Sequence, residues 1–497
     1  MAPLSTNSRE RLFTMALTPS QEAALEAVRQ FKNSPDISMT IAGEAGTGKT
    51  FLANIIIHEI FRKISVTVTA PTHRAVSVIS NKTGIRGSTI HSLLGLRPNM
   101  MLETFDIKNV QFTNDNNEEK IKNYKYIIID ESSMLGHDIS KFILIKAKQH
   151  NTKIIFIGDT AQLPPVNEII SDIFKNPRLV TLKEVVRQQN DNPLLDLLLV
   201  MRQDIHSVNG HRFIDYINQN PTRIIQKEDG SLEGYIALNL QDFCKALVTY
   251  TNKPEMNDCN PILDFCKYAA YSNDSVQIYN RFIRENREVS KGVSDLFIAG
   301  DILTGYSNVL TPDLEPLLTN SIDYVVEEVT HRVSNDGFYV YQLSIRSKLT
   351  SRTSDIMVVD HLGPNYDIYV NTLKILRNDA SSPDTQPINR ASKWKAFYRY
   401  KDTYLSAIPI NLGDGTNKKD EADKNLDYGY AFTTHKLQGS TVAHMFVNAL
   451  DMIYYNGDPT KPRVNTPDMP DIINIRNRLM YTALSRTSKV AFILWAL

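Results

Sequence analysis

The sequence predicts an α/β fold: two parallel-sheet lobes, the first interrupted by an inserted β-hairpin and the second by a small inserted β-barrel. Three observations predict it. Residues 17 to about 190 alternate helical apolar stretches with short β-type runs. Those runs, Ser38–Ala42, Ser65–Ala70, Tyr126–Asp130 and Lys153–Asp159, are nearly continuous in apolar residues and end in small, polar or acidic ones. Strands covered by helices on both faces read this way. A similar alternation begins near Ala269 and returns at Tyr428–Asn448 and Val490–Leu497, on either side of a stretch of different texture. Such sheets place ligands at the carboxyl ends of their strands, so the polar residues that end the first four runs are expected to converge on one crevice.

The interruptions follow from local pattern. Between Leu96 and Asn123 short apolar runs alternate with Asn/Asp-rich turn material, which reads as a small hairpin over residues 97–122. Residues 1–96 and 123–190 then make the first lobe. Within 326–424, YVVEEV, GFYVYQLSI and SDIMVVD read as strands joined by turns, a β-domain inserted into a second lobe of residues 191–325 and 425–497. After a Pro/Asp/Asn-rich loop, Asn456–Pro470, Ile472, Ile475, Leu479 and Ala483 form one helical stripe.

Composition bounds the function class. A chain of 497 residues suggests about three domains. With 42% hydrophobic and 22% charged residues it is globular, not disordered. Lys+Arg (55) balances Asp+Glu (55), so any basic surface is local. No run approaches the ~20 apolar residues of a membrane span, and the first residues show no signal-type stretch. Cys244, Cys259 and Cys266 form no metal-ligand spacing. The expectation is a soluble, intracellular, multidomain protein with no membrane partner.

The strongest local signal is Gly43-Glu44-Ala45-Gly46-Thr47-Gly48-Lys49-Thr50, a G-x-x-x-x-G-K-[ST] loop between the strand SMTIA and the helix TFLANIIIHEIF. Gly43, Gly46 and Gly48 let backbone N–H groups turn inward around phosphates. Lys49 neutralises β/γ charge, and Thr50 offers an oxygen to Mg²⁺. Downstream, a buried strand delivers Asp130 to the same Mg²⁺ and places Glu131 to polarise an attacking water. Phosphoryl transfer also needs a cation on the γ-phosphate; Arg187 and Arg486 are the candidates, by motif context rather than composition.

The ordered set resembles a superfamily 1 helicase of the RecD/Dda type. Leu17–Gln21 is similar to its adenine-reading motif, with Gln21 as reader. Thr69–Ala75, Ser88–Leu94, Asp130–Glu131, Gly158–Val166, Tyr430–Thr441 and Tyr481–Arg486 match further motifs in family order, so the resemblance covers essentially the whole chain. It implies two RecA-like motor lobes that hydrolyse ATP with Mg²⁺. It also implies roles: Gln162 couples the γ-phosphate to the DNA groove, Arg187 and Arg486 touch the phosphates, and Gly439 lies near the γ-phosphate. Pro71, Thr72, His73, His91, Thr434 and His435 line the single-strand path, although a core or capping role stays open for each histidine. Residues 97–122 occupy the place of the strand-splitting pin, with Phe105 or Phe112 stacking on the terminal base pair unless both pack into the hairpin's own core. Residues 326–424 would be the SH3-like domain behind it. Within that insert, Lys393–Lys401 interleaves aromatics with cations, as single-stranded nucleic acid prefers, yet Trp394, Phe397, Tyr398 and Leu405 also fit a structural helix.

What the resemblance implies is an ATP-dependent helicase moving 5′→3′ on single-stranded DNA, binding single-strand/duplex junctions as a monomeric motor of the cytoplasm (the host's, for a phage protein). Replication, repair or recombination proteins would be its partners. Two alternatives remain at this point: a translocase that strips proteins but unwinds poorly, and a helicase-like subunit of a larger complex. RNA as the track is a third, because the motor motifs do not read the 2′-OH.

Overall fold

The computed structural model describes residues 17–96, 105–108, 119–165, 168–184, 192–207, 210–260, 262–311, 315–382, 387–413, 421–466 and 471–496. The chain falls into two compact units, Met1–Asp191 and Asn192–Leu497. No helix among the described residues is long and apolar enough to cross a membrane.

The first unit opens with helix α1 (Pro19–Asn33), started by a capping box in which Thr18 and Gln21 satisfy each other's backbone. Strand β1 (Ser38–Gly43) leads through the glycine-rich loop into α2 (Lys49–Ile55). Then follow β2 (Val66–Ala70), α3 (His73–Thr83), β3 (Ser88–Thr89) and α4 (Ile90–Leu94). The unit closes with β4 (Tyr126–Ile129), α5 (His137–Gln149), β5 (Lys153–Gly158) and β6 (Leu179–Leu182). All pairings are parallel, in the order β3-β2-β4-β5-β1-β6. The alternate residues of each central strand explain the continuous apolar runs. Ile128, Ile155 and Ile157 enter one core with Val28 and Phe31, while Ile127, Ile129, Ile154 and Phe156 enter the other with Ile90 and Ile139.

The second unit begins with α6 (Leu194–Ile205), α7 (Arg212–Gln219), β7 (Thr222–Gln226), β8 (Leu232–Leu238), α8 (Leu240–Thr251), β9 (Asp264–Ala270) and α9 (Asn273–Asn286). A second sheet is then spliced in. It uses β10 (Ile302–Gly305), the short pair β11 (Val309–Leu310) and β12 (Pro316–Leu318), β13 (Asp323–Val333), β14 (Tyr339–Ser347) and β15 (Thr353–Val359). After it come α10 (Tyr366–Ser381), α11 (Pro387–Thr403), the short pair β16 (Ile410–Asn411) and β17 (Glu421–Ala422), and β18 (Leu426–Tyr428). The chain returns through β19 (Ala431–Thr433), β20 (Val442–Asn448), α12 (Ala449–Ile453), α13 (Ile472–Ser485) and β21 (Thr487–Leu494). The main sheet runs β19-β9-β20-β21-β8-β7, parallel except for β7 on β8.

The inserts differ from expectation in two ways. The second insert does not start at 326: β10 already belongs to it and pairs with both β13 and β18, and β13 crosses the expected boundary. Among the described residues it is an open antiparallel sheet, β15-β14-β13-β10-β18, carrying two helices rather than strands alone. Those helices help to form a core of their own, in which Tyr369, Leu373, Phe397 and Tyr404 pack with Phe338 and Val340. In the first insert, only Phe105–Lys108 and Glu119–Lys122 of the expected hairpin are described, the latter entering a short helical turn, Lys120–Asn123. Phe105 is a core residue, 8% exposed, its ring 5.4 Å from that of Phe142 on α5. That corrects its reading as a strand-facing wedge, because a ring packed there has no face left for a base pair. Phe112, like Arg187, lies outside the described residues.

Candidate active site

Strands β4, β5 and β1 are neighbours, so whatever follows each of them arrives side by side. After β1 the loop curls through Gly46 (φ 84°) and Gly48 (φ 77°), a left-handed conformation that a side chain would strain. Gly43 needs its bareness for another reason: a Cβ there would stand 2.6 Å from Thr47 Oγ1 and 3.2 Å from Leu182 Cβ. Lys49 Nζ donates to the carbonyls of Gly43 (2.7 Å) and Glu44 (3.0 Å), and lies 3.9 Å from Asp159 Oδ2. The lysine thus folds back over its own loop, aimed where a phosphate chain would sit.

After β4 comes the acid pair. Burial, and next the negative charge of Glu131, push the Asp130 carboxyl up to about 6; Lys49 pulls the other way. Asp130 Oδ1 accepts the Glu131 N–H at 2.9 Å, and Glu131 itself adopts φ 51°. A left-handed non-glycine residue costs about 1–2 kcal/mol, and sites that do chemistry are where such strain is kept. Ser132 secures the turn by donating to Ile157 O at 2.6 Å. Two adjacent carboxyls that resist joint ionisation, beside a backbone cradle and a lysine, fit a divalent cation. Thr50 and Asp130 would be the residues to hold it.

After β5, Asp159 is 1% exposed; its Oδ1 accepts the Ala161 N–H at 2.9 Å and its Oδ2 the Gln162 amide at 3.3 Å. Asp159 is the site residue that sequence reasoning quoted within a motif but assigned no role. It shares a signal with Asp130, an acid at the end of an apolar strand. Gln21 takes an unexpected position. It is 2% exposed, its Oε1 accepts the Thr18 N–H at 3.1 Å, and its Nε2 donates to Thr47 O at 3.0 Å. The amide therefore braces the phosphate loop against the start of α1. Glu184, also unassigned from sequence, accepts from the Ser20 N–H at 3.2 Å and from the Ser20 hydroxyl, tying the end of β6 to the same helix start.

Comparison with known proteins agrees with this geometry. An AAA domain family matches residues 16–217. The chain is 30% identical over 193 residues to the ATP-dependent DNA helicase dda of Enterobacteria phage T4, covering 37% of this chain and 42% of that one. The chain is similar over part of its length to named DNA helicases, spanning 42% of dda and 28% of the ATP-dependent DNA helicase Pif1 of Campylobacter jejuni. An uncharacterized protein of Acanthamoeba polyphaga mimivirus is 22% identical over 459 residues, 83% of this chain and 89% of that protein. The crystal structure of a Pif1 helicase from Bacteroides in complex with ADP-AlF3 and ssDNA covers 96% of this chain and 92% of its own, at 16% identity and a TM-score of 0.48.

The expected strand-path residues divide. Pro71 is buried, Thr72 caps α3 by accepting the Ala75 N–H at 3.2 Å, His73 is exposed and His91 half-buried. His435 is exposed, but its neighbour Thr434 is not. Thr434 is 0% exposed, with its N–H (2.8 Å) and hydroxyl (3.3 Å) both on the carbonyl of Ala270. That corrects its placement on the strand path: the threonine anchors the turn after β19 to the end of β9. Gly439 turns that segment with φ 77°, and Arg486, 7% exposed, ends α13.

Proposed function

We propose that this protein is an ATP-driven DNA helicase that moves 5′→3′ along single-stranded DNA and divides duplex at a junction. One observation carries the reading: Lys49, the Asp130–Glu131 pair and the Asp159–Gln162 turn stand at the carboxyl ends of three adjacent strands. ATP would rest its β- and γ-phosphates on the N–H groups of Gly43–Lys49, with Lys49 releasing its loop carbonyls to meet them. Magnesium, held by Thr50 and Asp130, would neutralise charge on the phosphate oxygens.

Glu131 is the base that orients and deprotonates the attacking water. Asp159 fixes Gln162, which would couple the γ-phosphate to the DNA groove as the resemblance implies. Arg187, Arg486 and Gly439 keep the roles that the resemblance implies. The polarity and the splitting of duplex by residues 97–122 also rest on that resemblance.

The test is strand separation on duplexes carrying a 5′ or a 3′ single-stranded tail, with and without ATP. Unwinding from the 5′ tail alone is expected. Unwinding from the 3′ tail alone would overturn the polarity, and single-strand-stimulated hydrolysis without unwinding would leave a translocase. Lys49→Ala and Glu131→Gln should each abolish stimulated hydrolysis while the fold persists; normal turnover in either defeats the site assignment.

A further inference from the structure

The cation–aromatic stretch in α11 is not absorbed by the motor chemistry, and its two faces differ. Trp394, Phe397, Tyr400 and Tyr404, at spacings of three and four, face the small core with Tyr369 and Leu373. Lys395, Tyr398 and Arg399 occupy the opposite face, and all three are exposed, Tyr398 by 52%. The Tyr398 ring is nonetheless held in place: Trp394 lies 5.9 Å from it and Phe397 meets it edge-on at 5.2 Å. Within Pro387–Thr403 there are five cations (Arg390, Lys393, Lys395, Arg399, Lys401) and one acid, Asp402, in a chain whose charges balance overall. Lys393 is engaged by Asp379 and burial lowers the affinity of Lys401 for its proton, so these two serve the fold. Neither Lys395 nor Arg399 forms an ion pair among the described residues.

We infer that this face of α11 is an accessory binding site for single-stranded DNA, an inference that rests on the reading of the chain as a DNA motor. Two uncompensated cations one turn apart suit successive phosphates. An aromatic ring that is exposed but braced suits an unstacked base, because its ordering cost is already met by Trp394 and Phe397. Duplex DNA would use the cations but offers no base face to Tyr398, which is why the single strand is the ligand.

The experiment measures binding of a fluorescein-labelled oligothymidylate, and of a hairpin duplex, to the full chain across a salt series. Tyr398→Ala should weaken oligothymidylate binding by about fivefold or more while Tyr398→Phe binds as the wild type does. Lys395→Gln with Arg399→Gln should reduce the slope of log affinity against log salt by about 1.4, two phosphates at about 0.7 each. Hydrolysis at saturating DNA should be unchanged, with half-maximal stimulation moved to higher DNA concentration. Unchanged affinity and slope, equal loss in Tyr398→Phe, or a loss confined to the duplex would overturn the inference and leave the motor reading standing. Wild-type protein that binds no single strand would overturn both.

Discussion

Replacing Phe105 by alanine separates a core residue from a wedge. An aromatic side chain buries about 150–250 Å², which at about 25 cal/mol/Å² is about 4–6 kcal/mol. A compact unfolded state lowers that by 10–40%, to about 2–5 kcal/mol. Large-to-small core substitutions of phenylalanine cost about 3–5 kcal/mol, so the two routes agree. The Phe105–Phe142 ring pair should add a coupling of about 0.5–1.5 kcal/mol in a double-mutant cycle with Phe142→Ala. Urea unfolding of the full chain gives the energies. Hydrogen exchange at Ile90–Leu94 and Ile139–Ile143, elements sharing that core, shows where the loss falls. Phe105→Leu, which keeps an apolar side chain in the core, should still unwind duplex. If Phe105→Ala costs less than about 0.5 kcal/mol while abolishing unwinding, the ring works outside the core, as a wedge would.

Three further outcomes are expected. Thr434→Val should lower stability by about 1 kcal/mol through the lost bond to Ala270 and leave single-strand affinity alone; weakened binding at unchanged stability would restore it to the strand path. Gln21→Ala should raise the KM for ATP and GTP alike, because it loosens the loop at Thr47; an effect on ATP only would identify an adenine reader. Burial, with Lys489 and Lys253 adding to it, pushes His444 down to about 4 from 6.5. Its neutral form is therefore favoured by folding, and stability should fall by up to about 3 kcal/mol as pH drops from 6.5 to 4. His444→Leu should flatten that part of the urea-midpoint profile against pH; a slope as steep as wild type would assign the sensitivity elsewhere.

The nucleotide site was legible because its parts are local. A glycine loop needs particular residues at fixed spacing, and Asp130 and Glu131 follow their strand directly. The four central strands were readable for the same reason, since burial on both faces leaves them mostly apolar. What escaped is set by contacts distant in sequence. Strand β10 belongs with β13 and β18 only because Leu303 pairs with Tyr324 and Tyr428, and no periodicity in Ile302–Gly305 announces partners so far along the chain. The edge strand β6, with Leu179 exposed, lacks the apolar run of its neighbours. Thr434 sits beside an exposed histidine in a motif, and only the carbonyl of Ala270 tells the two apart. The helices α10 and α11 were half visible, as an aromatic spacing whose partner, Tyr369, came from outside the window.

The position of β21 bears on how the protein is made. Residues 487–494 fill the gap between β20 and β8, and Trp495 continues by donating its N–H to Leu238 and its indole N–H to Asn218. A ribosome delivers residues 17–184 long before these, so the first unit has all its strands early in synthesis. The second has its middle strand last, and until then β8 and β20 each present an unpaired apolar edge. Every nascent chain must therefore carry an unsealed sheet for more than 250 residues after β8 emerges, the interval between Leu238 and Leu494.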